Sequence, residues 1–161
     1  MISVTLPDGP HGASTARRLL AAALGDAGSP PELIDRVVLV GSELVTNAVL
    51  HGYGPPRLRL ALKGGCARLS VYDGSPGLPA PRVSPEGLTA QSGRGLAIVA
   101  HIADRWGTDR DGEGKWVWAE FRPVRERRQA RKASGNPPAQ RQTLARLDRF
   151  FAGPPYRLAQ A

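Results

Sequence analysis

The spacing of apolar residues changes several times along the chain, and each change marks an element. Residues 2–6 alternate apolar and polar side chains over a length suited to one short strand. An Ala- and Leu-rich segment follows, whose pattern predicts a helix of about 15 residues beginning near His11. Leu19, Leu20, Ala23 and Leu24 fall on one side of it, Arg17 and Arg18 face outward, and Gly25 and Gly28 end it. Ser29-Pro30-Pro31-Glu32 then predicts a second start, with Ser29 as N-cap, proline at the first helical position and Glu32 completing a capping box. Ile34, Val37, Val38, Gly41, Val45, Ala48 and Val49 mark one side of a helix running to about His51, where Gly52 and Gly54 stop it.

Beyond it the period drops to two. Residues 57–63 alternate strictly and residues 67–73 nearly so, with Gly64-Gly65 between them as a hairpin turn. Residues 74–92 are rich in Pro, Gly and Ser and show no period; a loop this long in a small domain is usually functional or disordered. A helical pattern resumes after Gly95 through Leu96, Ile98, Val99, Ile102 and Ala103, with an end expected near Trp106-Gly107. A last strand pair surrounds Asp111-Gly112-Glu113-Gly114, its second arm covering residues 115–121. The order predicts an α+β fold: a two-layer α/β sandwich with a mixed, mostly antiparallel sheet and helices on one face.

Composition sharpens this in one respect. The 161 residues suit a single domain, and 22 Lys+Arg against 14 Asp+Glu give a formal charge of +8. Residues 1–121 hold 12 of each sign, whereas residues 122–161 hold 10 basic and 2 acidic, so the whole excess lies at the C-terminal end. The chain therefore divides into a near-neutral domain over 1–122 and a basic, Arg/Pro-rich tail over 123–161, expected to be flexible. Within that tail Leu144, Leu147, Phe150 and Phe151 could line a short amphipathic helix. Nucleic acid is an unlikely partner except through this tail, because basic charge is what attracts polyanions. One cysteine, Cys66, leaves no internal disulfide and no Cys cluster for zinc. The start of the chain has neither a basic nor an apolar run, and no stretch approaches the ~18 apolar residues of a membrane helix. A cytoplasmic location without membrane association is expected.

Three short segments carry candidate chemistry. Glu43 and Asn47 stand one turn apart inside a strongly apolar helix, where a carboxylate and an amide are costly unless they have partners. They are either a solvated stripe or the place where an anionic, metal-bearing ligand lies, since an amide oxygen is a hard ligand and a carboxylate can accept a proton. Asp73-Gly74-Ser75-Pro76-Gly77 follows a strand and is either an ordinary turn or a site where an acid accepts a hydrogen bond from an amino group. Ser92-Gly93-Arg94-Gly95-Leu96 opens the third helix, as a plain hinge or as backbone N–H groups and a guanidinium aimed at an anion.

Together, in this order and spacing, the three resemble the GHKL (histidine-kinase-like) ATPase superfamily. Residues 43–53 look like the N box of its anti-sigma-factor serine/threonine kinases, the RsbW-like group; residues 73–77 are similar to the aspartate box and Gly93-Arg94-Gly95-Leu96 to the glycine box. The resemblance covers about residues 1–121. It implies a Bergerat-type sandwich that binds ATP with Mg²⁺. Asn47 would hold the metal and, through it, the phosphates, and Glu43 would be the catalytic base toward a hydroxyl. Asp73 would receive the adenine amino group above Gly77, while Gly93, Arg94, Gly95 and Leu96 would close on the phosphates. His51, one turn past Asn47, would line the pocket or merely meet the helix dipole.

The sequence departs from the family pattern at Ser75, where a Gly is usual, and at Leu50, where many relatives carry a basic residue. It departs again near Lys115-Trp116-Val117, where a Thr commonly supports the adenine aspartate and Trp116 cannot accept a hydrogen bond. The implied activity is phosphorylation of an anti-anti-sigma (STAS-type) partner together with sequestration of a sigma factor, with a homodimer as the implied assembly. The alternative is a non-catalytic, nucleotide-gated module that captures a partner. Trp106, Trp116 and Trp118 are expected to pack in the core and at its rim, and His11 and His101 receive no role.

Overall fold

In the computed structural model, residues 1–76 and 94–123 are described. The elements run β1 (Ile2–Thr5), α1 (His11–Asp26), α2 (Pro31–His51), β2 (Arg57–Lys63), β3 (Cys66–Asp73), α3 (Arg94–Ile102), β4 (Arg105–Asp111) and β5 (Gly114–Phe121). The strands form one sheet in the order β1-β2-β3-β5-β4, and each neighbouring pair is antiparallel.

Two element ends differ from those the sequence pattern predicts. The N-cap of α2 is Pro30, with φ −60° and ψ 143°, and no side chain caps the helix. A residue ahead of proline is driven to extended backbone, so Pro30 cannot be helical before Pro31 and the helix begins one residue later than a Ser29 cap would allow. Ser29 instead closes α1, its N–H donating to the Leu24 carbonyl at 2.9 Å while Gly28 donates to Gly25 at 2.9 Å. The second correction is at α3, which stops at Ile102 rather than near Trp106. Trp106 lies three residues beyond Ala103, so the helical period carries on through it. The backbone decides otherwise, because the Asp104 N–H donates to the Glu120 carbonyl at 2.9 Å and the chain enters the sheet.

The two hairpins follow their turn residues. Lys63 pairs with Cys66 across Gly64-Gly65, whose φ values of +57° and +76° belong to a backbone region that side chains avoid. Asp111 pairs with Gly114 across Gly112-Glu113.

One sheet face packs against the helices. Leu58, Leu60, Leu69, Val71 and Phe121 from the strands meet Leu20, Leu24, Val37, Val40, Leu44 and Val45 in a single buried cluster. Burial of each such side chain is worth about 1.5–3 kcal/mol before chain entropy is counted. Leu19, expected on the inner side of α1, is 38% exposed; the α1 side that packs runs through Gly12, Ala16, Leu20 and Leu24. Across the corner between α3 and β4, Arg36 of α2 donates to Asp104 at 2.7 Å, to the Ile102 carbonyl at 3.1 Å and to the Arg122 carbonyl at 3.2 Å. This clamp anchors α2 against the end of α3 and the last strand.

The outer sheet face is unusual for a two-layer protein. β5 is buried at all eight positions, including the outward-facing Trp116, Trp118 and Glu120. Arginines do part of the covering: Arg59 lies 3.9 Å over Trp116, Arg57 3.8 Å over Tyr72 and Arg68 4.5 Å over Trp118.

Candidate functional site

The half-buried Glu43 and Asn47 project from the middle of α2 toward the start of α3. Gly95 shows that they converge. A Cβ placed there would lie 3.0 Å from Glu43 Oε2, 3.0 Å from Asn47 Nδ2 and 3.3 Å from Asn47 Oδ1. The backbone of α3 thus rests on both side chains, and any other residue at 95 would push into them. Among the described residues neither Glu43 nor Asn47 has a hydrogen-bond or ion-pair partner, so their oxygens are free to meet a ligand.

Asp73 completes the arrangement from the sheet side. It ends β3, is 8% exposed, and sits against the C-terminal end of α2, where a Cβ on Gly52 would come within 2.5 Å of its Oδ1. From Gly52 the helix axis reaches Asn47 after about 7–8 Å and Glu43 after about 13 Å, so Asp73 and the acid–amide pair lie at successive points along α2. A stripe of this form can hold an elongated ligand, with a polar head at one end and a charged group beside the helix N-terminus at the other.

The sequence-expected residues distribute as follows. Glu43, Asn47 and Gly95 come together, and Asp73 lies at the end of the same helix. His51 is exposed at the last position of α2. Leu96 turns its side chain into the apolar core, which leaves only its backbone for a ligand. Gly77, Gly93 and the side chain of Arg94 lie outside the described residues, as do most of the expected 74–92 loop and the basic tail beyond Pro123.

The departure placed on Trp116 is resolved by strand register. Trp116 pairs with Tyr72 and faces the outer side, its ring 5.4 Å from that of Tyr72, with Nε1 donating to Asp111 at 2.7 Å. Lys115 is the residue opposite Asp73. Its Nζ lies 2.7 Å from Asp73 Oδ2 and donates to the Ser75 hydroxyl at 2.6 Å and the Ser75 carbonyl at 3.1 Å. The Ser75 N–H donates in turn to Asp73 Oδ1 at 2.8 Å. Lys115 is the functional residue that motif reading passes over. The Gly112-Glu113 turn sets only the β4–β5 register, with Lys115 opposite Arg110; the β3–β5 register that brings Lys115 to Asp73 has no local signal in the sequence.

Comparison with known proteins bears on this geometry. The histidine kinase-like ATPase domain family matches residues 6–121. An uncharacterised protein of Streptomyces coelicolor is 38% identical over 82 residues, which are 49% of this chain and 78% of that protein. Among solved structures, the RsbU and RsbW domains of a Mycobacterium tuberculosis protein align with a TM-score of 0.58 and 25% identity, covering 75% of this chain and 32% of theirs. This chain thus spans about a third of that longer one. The SiaB–SiaC complex of Pseudomonas aeruginosa aligns with a TM-score of 0.58 and 14% identity over 75% of this chain and 89% of that one, a likeness of fold. Among the described residues no helix is long and apolar enough to cross a membrane.

Proposed function

Because the chain belongs to the histidine kinase-like ATPase domain family, we propose that it is an ATP-binding protein serine/threonine kinase of the anti-sigma type. It would phosphorylate a STAS-type anti-anti-sigma partner and sequester a sigma factor. The observation that carries this reading is the convergence of Glu43 and Asn47 on Gly95 at the start of α3. Phosphoryl transfer asks for positioning and charge neutralisation rather than covalent help, and a carboxylate, an amide and a helix N-terminus at one point supply those means.

The donor set fits a magnesium ion: the Asn47 amide oxygen is a hard ligand that needs no deprotonation, and Glu43 offers a carboxylate beside it. When bound, the ion would neutralise phosphate charge. Asn47 would hold it, and Glu43 would accept the proton of the attacking hydroxyl. The first N–H groups of α3 would face the phosphates. Asp73 would accept a hydrogen bond from the amino group of the base.

A second reading, partner capture gated by nucleotide without transfer, is favoured by the apolar surface beside the site, where Leu50 is 67% and Tyr53 74% exposed. The two separate cleanly. Titration of magnesium–ATP should give saturable binding for the native chain and its loss in Asn47→Ala; equal, unsaturable signals in both would remove the nucleotide reading. Glu43→Ala should keep ATP affinity while phosphotransfer to the partner falls about 10²- to 10⁴-fold. A partner response unaffected by that substitution would establish capture without transfer.

A further inference from the structure

We infer that Lys115 is a positioning residue for the nucleobase, and that it makes the site select a 6-amino purine against a 6-oxo purine. The inference rests on the nucleotide reading above. Its physical basis is a count of hydrogens. An ammonium group has three, and three acceptors surround Lys115 Nζ: Asp73 Oδ2 at 2.7 Å, Ser75 Oγ at 2.6 Å and the Ser75 carbonyl at 3.1 Å. With only 3% of Lys115 exposed, water does not compete for them. The ammonium has nothing left to donate to a ligand.

Asp73 is the complement of this. Its Oδ1 accepts from the Ser75 N–H at 2.8 Å and its Oδ2 from Lys115, so two of roughly four lone-pair positions are used and the remainder can only accept. The three residues close a ring of charge-assisted bonds that fixes the carboxylate in orientation. A base that presents an exocyclic amino group finds an acceptor held in place. A base that presents a carbonyl there meets a carboxylate and no free donor, an arrangement that rejects it strongly because both oxygens would be left unpaired.

The departure at Ser75 acquires a purpose in this arrangement. Where a glycine would leave one ammonium hydrogen unspent, the serine hydroxyl takes it up. Ser75 and Lys115 therefore act together, and Trp116 on the opposite face of the sheet has no part in it.

The test compares magnesium–ATP with magnesium–ITP, which differs at the 6-position, by calorimetric titration of the full chain, with circular dichroism as the check on folding. The native chain should prefer ATP by about 100-fold or more. Lys115→Met should lower that ratio about tenfold or more through weaker ATP binding, with ITP nearly unchanged. Ser75→Ala, at a part-buried position past the strand end, keeps the backbone bonds of residue 75 to Asp73 and Lys115, frees one ammonium hydrogen and should lower the ratio severalfold through tighter ITP binding. Loss of stability alone does not weaken ATP binding selectively in one variant and tighten ITP binding in the other. ATP binding with an unaltered ratio in Ser75→Ala, or in a folded Lys115→Met, would overturn the role of Lys115. A folded native chain that binds neither triphosphate would overturn the nucleotide reading itself, and this inference with it.

Discussion

On the helix side of the β3–β5 pair Asp73 meets Lys115, and on the opposite side, one residue away, Tyr72 meets Trp116. The first is a buried ion pair at 2.7 Å whose ammonium is fully spent. The second is an aromatic rung roofed by Arg57 and Arg59, whose charges remain at the surface. Both keep water from the strands, by different means. Surface guanidinium groups cover area at little cost and tolerate many geometries. A charge pair within the core must overcome desolvation, so it survives only where each hydrogen and lone pair finds its partner. Such a rung specifies atomic positions, and it stands where a candidate ligand site needs them.

This contrast can be broken from the inside first. Lys115→Met strands the Asp73 carboxylate in the core and should cost about 3–5 kcal/mol in denaturant unfolding. The paired change Asp73→Leu with Lys115→Met should recover most of that loss, because an apolar pair needs no desolvation. A single-variant loss below about 1 kcal/mol, the range of exposed pairs, would show that the inner rung behaves like a surface one.

Arg36→Ala removes the clamp between α2 and the α3–β4 corner. Asp104 keeps a hydrogen bond from the Arg122 N–H at 2.8 Å, so the expected loss is smaller, about 2–3 kcal/mol by the same measurement. On the outer face, Arg68 donates to Glu120 at 3.1 Å and covers Trp118, and Arg68→Ala should cost about 1–2 kcal/mol. Arg59→Ala, which uncovers one face of the Trp116 ring, should cost less than about 1 kcal/mol in thermal melts, and the effect should shrink further in high salt.

Much of the fold was legible in the chain because its signals are local. Strict alternation located β2 and near-strict alternation β3, the Gly64-Gly65 turn set their register, and apolar spacing carried α2 to His51, in agreement with the structure. The acid–amide pair at Glu43 and Asn47 was visible because four residues are one helical turn. Failures arose where one local signal lost to a stronger constraint, once local and once tertiary. A capping box at Ser29 lost to the steric demand of Pro31 on its predecessor, and a helical period through Trp106 lost to pairing of the following backbone with β5.

By itself, then, the sequence determined the identity and order of the elements, the motif stripe on α2 and the acid at the end of β3, all of which depend on neighbours within a few residues. Only the tertiary structure decided which residue faces that acid, and that the start of α3 rests on Glu43 and Asn47. It decided also that arginines roof the outer sheet face. The reason is physical: alternation fixes which side chains share a face, but pairing between strands 40 residues apart selects which face, and a shift of one residue would have put Trp116 opposite Asp73 in place of Lys115.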